Sequence, residues 1–153
     1  MIRFECDYAE GAHPKILERL SETNFQQTPG YGEDIYCQNA KALIRKLCKN
    51  DDIDIYFLVG GTQANLVVTA SVLRPHQGVI SADTGHINTH ETGAIEATGH
   101  KVITVESPDG KITAEQVKSV YNAHHDDHIK EHTVQPGMVY ISHPTENGTT
   151  YTR

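Results

Sequence analysis

Between Ile53 and Leu73 the sequence reads IDIYFLVGGTQANLVVTASVL, and no other stretch restricts the possible folds of this chain so sharply. The apolar, largely β-favouring residues Ile53, Ile55, Tyr56, Phe57, Leu58 and Val59 read as a buried strand. The run stops at Gly60-Gly61, after which Leu66, Val67, Ala70 and Leu73 follow with helical spacing. A strand, a tight turn and a helix are therefore predicted. Gly60 and Gly61 let the backbone turn and approach a ligand closely, while Thr62 is placed to cap the helix and to offer a hydroxyl to that ligand. The unpaired amides and positive dipole end of such a helix suit an anion, most naturally a phosphate. The same junction also occurs in α/β domains as a plain tight turn, so neighbouring motifs have to decide between the two readings.

At 153 residues the chain is long enough to bury a core without disulfides or a structural metal. A net charge of -7 argues against a nucleic-acid or anionic-membrane partner, so an anionic ligand has to be held by local geometry. Cys6, Cys37 and Cys48 are odd in number and lack CxxC spacing, which suits reduced thiols and a cytoplasmic setting. No apolar run is long enough to span a bilayer.

Along the chain, His13-Pro14 is expected to open a helix whose buried stripe is Ile16, Leu17 and Leu20. The irregular stretch NFQQTPGYGEDIYC carries Tyr31 and Tyr36, readable as packing residues or as the lining of a ligand site or subunit interface. A helix is predicted from Asn39, with Ala40, Leu43, Ile44 and Leu47 on one face. Further strands are expected at Gly78–Ala82, Lys101–Glu106 and Met138–Ser142, with a short helix ended by Gly99 and another opened by a Thr113/Gln116 capping box. Residues 122–136 read as a polar, histidine-rich surface segment. This alternation specifies an α/β fold with a mainly parallel sheet and flanking helices. Only a short tail follows the last strand, so no helix returns to cover it, and the chain reads as the front part of a larger domain. Residues 1–38 are expected to form an amino-terminal segment and interface loop, and residues 39–153 an incomplete ligand-binding domain.

In a parallel sheet the loops at 60–65, 83–91 and 143–148 gather at the strands' carboxyl edge, where ligands bind. They bring a phosphate cradle together with His86, His90, Glu91, His143, Glu146 and Asn147. With FLVGGTQANL, GHINTHETGA, PTENGT and GEDIYCQNAKALIRKL in this order, the sequence resembles the pyridoxal-phosphate (PLP) dependent enzymes of fold type I, the aspartate aminotransferase fold. Within that fold it resembles the threonine aldolase and β-eliminating lyase group. The resemblance implies the front part of the large domain of a PLP-dependent transferase. It also implies a lyase acting on a small β-hydroxy or β-substituted amino acid, in a homodimer or homotetramer. Gly60, Gly61 and Thr62 would hold the cofactor phosphate, and His86 would stack on its ring and take part in proton transfer. Glu146 would act on the substrate side chain, at a position where threonine aldolases usually carry histidine. Asp7 and Tyr36 would lie on the substrate side, with Cys6 and Tyr8 in place of the hydroxyl residues that flank the family's aspartate. The family's Schiff-base lysine and pyridine-nitrogen aspartate follow the Asn-Gly loop, so the chain is expected to be a fragment lacking both and inactive alone.

Other readings use fewer residues. An aminotransferase stays open within the same fold, and a non-catalytic phosphate or nucleotide module would use residues 60–62 alone, without a GxGxxG or Walker lysine. His86 and His90, four apart, would share a helix face, and HHDDH at 124–128 could chelate a metal. Gly85 and Asn88 disfavour a regular helix there, and no metal site is expected.

Overall fold

The computed structural model describes residue 6 and residues 8–152. It divides into two compact units, Met1–Phe57 and Leu58–Arg153. The first carries two helices. Helix α1, Pro14–Thr23, opens as expected, with Pro14 in its first turn and the His13 side chain accepting from the Lys15 amide at 3.2 Å. Helix α2, Ile35–Cys48, begins before the predicted Asn39, because the Asp34 carboxylate caps it by accepting from the Cys37 amide at 2.8 Å. Neither helix has a buried residue, and Ile16, Leu17, Leu20, Leu43 and Leu47 are exposed, contrary to the expected burial of the α1 stripe. An apolar stripe is buried only where another layer meets it, and this unit contributes no sheet among its described residues.

The predicted central strand requires the largest correction. Residues 53–58 form no strand, and Tyr56 and Val59 are 79% and 97% exposed. Apolar, β-favouring composition shows that a segment fits a sheet, but the ladder that makes it a strand needs a neighbour.

The second unit is an α/β layer structure. Its elements are α3 (Gly61–Val72), β1 (Gln77–Ala82), the short α4 (His86–Thr89) and α5 (Ala94–Ala97), β2 (Val102–Val105), α6 (Ala114–His125) and β3 (Gln135–Val139). A single 3-10 turn, Lys130–His132, precedes β3. The sheet order is β2-β1-β3, and both pairings are parallel, as expected. Val79 and Ile80 lie opposite Val102 and Ile103 on one side, and opposite Met138 and Val139 on the other. The last strand starts at Gln135, inside the segment expected to be surface. Pro136 is tolerated because β3 pairs on one side only, and the register shift at Gly78/Val79 leaves Gly137 without a partner.

Alternation along β1 feeds two cores. Val79 packs with Leu73, Ile87, Ile95 and Val102, whereas Ile80 and Ala82 pack with Ile112 and, from α6, Val117 and Val120. Fully burying each Val or Ile contributes roughly 1.5–3 kcal/mol, so this strand anchors the unit. The predicted capping box holds: Thr113 Oγ1 accepts from the Gln116 amide, and Gln116 Oε1 accepts from the Thr113 amide. Gly99 ends α5 with a φ of +87°, as predicted. No helix among the described residues is long and apolar enough to cross a membrane.

Two outcomes follow. A Cβ at Gly78 would stand 2.6 Å from the Lys101 carbonyl oxygen, a backbone atom of the neighbouring segment. Gly78→Ala should destabilise the unit by roughly 1–3 kcal/mol in denaturant melts, and an unchanged midpoint would contradict this close approach. The Asp34 carboxyl is held below the usual carboxylate range, first by the hydrogen bond from the Cys37 backbone N–H. Because the folded value lies under the unfolded one, the cap's contribution is complete above the unfolded value and is lost as pH falls through the folded one. Backbone NMR shifts of residues 35–38 should report fraying of α2 on acidification, and Asp34→Asn should keep the helix while removing that transition.

Candidate functional site

The loops that follow β1, β2 and β3 are tied together at the carboxyl edge of the sheet. Asp83 Oδ1 accepts from the Thr84 amide at 3.0 Å and from the Ser107 amide at 3.1 Å, joining the first two loops. Thr145 and Thr149 donate their hydroxyls to the Asp109 carbonyl at 3.3 and 2.7 Å, joining the second and third. Helix α4 starts directly on the end of β1: Gly85 is its cap, and a side chain there would collide with Ser81 Oγ. His86 is thereby fixed at the first position of α4.

Two carboxylates bracket the His86 ring. Nε2 faces Glu91 Oε1 at 3.4 Å, and Nδ1 faces Glu146 Oε1 at 3.2 Å. The His90 ring stacks on one face of His86, with centroids 5.5 Å apart and planes at 21°. Glu91 is 4% exposed; its Oε1 accepts from Asn65 Nδ2 at 2.9 Å, while its buried Oε2 has no partner. Asn65 belongs to α3, so Glu91 couples the opening of that helix to the imidazole of α4. Ser142 Oγ donates to Glu146 Oε1 at 3.4 Å, a bond within the loop that follows β3.

At the glycine pair the outcome is mixed. Gly60, not Thr62, is the cap of α3, and no side chain closes that end. Gly60 has a φ of -172°, extended backbone open to any residue, so the turn itself does not require glycine. A Cβ at Gly60 or Gly61 would meet nothing within 4 Å. Gln63 turns back instead, its Oε1 accepting from the Val59 amide at 2.8 Å. An uncapped amide cluster beside two glycines, linked through Asn65 and Glu91 to a half-exposed flat ring, suits a group with an anionic end and an aromatic body.

Of the other expected residues, Tyr36 belongs to the first unit, where its hydroxyl bonds Gln26 Oε1, and Asp7 lies outside the described residues. His143 is drawn away from the cluster: its Nδ1 accepts from the Tyr151 amide at 3.4 Å. Lys111 is engaged with Asp109 at 3.0 Å, which holds the Asp109 carboxyl below its ordinary range. A helix does form at His86, but it is a single turn, His86–Thr89, capped by His90. The part played by Asn65 was not anticipated, and its one sequence cue was its position on the α3 face, after the glycine pair.

Known proteins are similar to the chain over nearly its whole length. The chain is 30% identical over 151 residues to the low specificity L-threonine aldolase of Pseudomonas sp. (strain NCIMB 10558), and 28% identical to that of Pseudomonas aeruginosa. Each match takes in 97% of this chain and 42% of the relative, so the chain spans well under half the length of these curated proteins. The solved structure of Leishmania major threonine aldolase superposes with a TM-score of 0.88 at 49% identity, over 95% of this chain and 41% of that one. This establishes the fold-type-I arrangement of parallel sheet and flanking helices, covering part of the parent fold. With residues 7–152 also matching the profile of the Beta-eliminating lyase family, the chain belongs to that family.

Proposed function

We propose that this chain supplies the amino-terminal share of the cofactor site of a PLP-dependent lyase of the threonine aldolase kind. Its substrate would be a small β-hydroxy or β-substituted amino acid. The observation that supports this most directly is the Asn65–Glu91–His86–Glu146 chain, which sets an aromatic face and a pair of proton-handling groups beside an uncapped helix opening. When bound, PLP takes up the electron pair released as a bond at the substrate's α-carbon breaks.

Each residue then has a part. The amides of Gly61 and Thr62, with the Thr62 hydroxyl, hold the phosphate, and the bare Cα of Gly60 and Gly61 lets it come close. His86 offers its free face to the pyridine ring, the other being covered by His90. Glu91, buried and anchored by Asn65, keeps the imidazole from rotating. Glu146 is the carboxylate nearest the solvent side, and with His86 Nδ1 at 3.2 Å it can accept a proton from a substrate hydroxyl and share it with the ring. Asp7 and Tyr36 belong to the same reading as substrate-side residues, as does assembly into a homodimer or homotetramer.

Binding of PLP by the 153-residue chain tests the reading, followed by equilibrium dialysis and by quenching of tyrosine emission. Removing a hydrogen bond to a charged phosphate costs about 1.5–3 kcal/mol, so Thr62→Ala should weaken binding roughly ten-fold or more. His86→Ala should weaken PLP and leave inorganic phosphate unaffected. If both variants bind PLP as the parent does, the assignment fails. Nucleotide bound in place of PLP would favour a plain phosphate-binding module.

A further inference from the structure

The geometry points to a divalent transition-metal site built from His86, His90 and Glu146, with zinc the ion of best fit. Donor atoms of these three side chains lie within 4.8 Å of one another. A tetrahedral zinc with bonds of ~2.1 Å needs neighbouring donors about 3.4 Å apart. His86 Nδ1 and Glu146 Oε1 are already 3.2 Å apart. The two rings are stacked at 21°, so their in-plane lone pairs meet at one ion only when His90 rotates out of the stack, and the exposure of His90 and Glu146 leaves room for that rotation.

The hydrogen bonding around the rings prepares them as ligands. The Thr89 hydroxyl has a single proton, which it gives to the Gly85 carbonyl at 3.1 Å. Its oxygen lies 2.7 Å from His90 Nδ1, and in the tautomer in which that nitrogen donates to it, the lone pair of His90 sits on Nε2. His86 is in a different position, since both of its nitrogens face carboxylate oxygens, at 3.2 and 3.4 Å. Either neutral tautomer turns one lone pair against an acceptor. A second ring proton removes that conflict, and so does a metal cation between Nδ1 and Glu146, which leaves the Nε2 proton facing the buried Glu91. This is the carboxylate–histidine–metal arrangement that orients metal-bound imidazoles elsewhere. Two imidazoles and one carboxylate form a zinc donor set with a fourth position open to water or a small ligand. The HHDDH segment lacks such convergence: His124 Nδ1 bonds Thr133 Oγ1 at 2.9 Å, and His128 only pairs with its neighbour Asp127.

Calorimetric titration of Zn²⁺ into the chelator-treated chain, with Co²⁺ absorption as a second probe, tests the site without reference to PLP. The expected result is one ion per chain and the intense visible bands of four-coordinate Co²⁺. His90→Ala and Glu146→Gln should each weaken binding at least ten-fold, and Glu91→Gln, acting through His86, by roughly 10–100-fold. His125→Ala should change nothing. Circular dichroism of each variant separates loss of a ligand from loss of the fold. No binding, binding unchanged by His90→Ala, or binding abolished by His125→Ala would each overturn the proposal.

Discussion

Strand β1 is the constraint on which the second unit depends. Among the described residues it is the only strand paired on both edges, its residues Val79, Ile80 and Ser81 are buried, and both neighbours run parallel to it. Parallel pairing obliges each connection to cross back over the sheet, so the loops after β1, β2 and β3 all emerge at one edge. The hydrogen bonds of Asp83, Thr145 and Thr149 then fasten these loops to each other. Residues as distant in sequence as His86 and Glu146 meet because strand direction leaves them no other place.

Within that edge, Glu91 carries the largest energetic risk. A carboxylate taken out of water costs several kcal/mol unless neighbours compensate it, and here Asn65 and His86 share one oxygen while the other has no partner. A group satisfied on one side contributes little to stability. It does restrict geometry, because moving α3 or α4 would strip the carboxylate of its remaining contacts. The site is thus held by an interaction whose worth lies in orientation.

Much of this unit was legible in the sequence. Alternating strands and helices, the capping box at Thr113, the glycine stop at Gly99 and the convergence of His86 with Glu146 all rest on local patterns or on strand direction, which the chain order already contains. What was not legible depends on neighbours. The run Ile53–Val59 has the composition of a strand and none of the pairing, and the apolar faces of α1 and α2 have periodicity and no opposing layer. The β3 boundary was misplaced because Pro136 and Gly137 argue against a central strand, whereas an edge strand with a bulge accepts both. Thr62 was assigned a cap that Gly60 supplies, since backbone alone, with no side chain, closes that turn.

The two parts assigned to His86 draw on different directions of one ring. Stacking uses the π face, above and below the plane; ligation and proton sharing use nitrogen lone pairs that lie within it. His90 covers one face, and the two glutamates lie along the edges, so a single open face and a contested edge remain. A flat electron-poor ring and a small cation therefore do not compete for the same atoms of this imidazole. What they do share is Glu146: a carboxylate committed to a metal ion cannot also take a proton from a substrate hydroxyl. A bound metal would therefore draw His90 off the face of His86 and withdraw Glu146 from the proton-transfer role proposed for it.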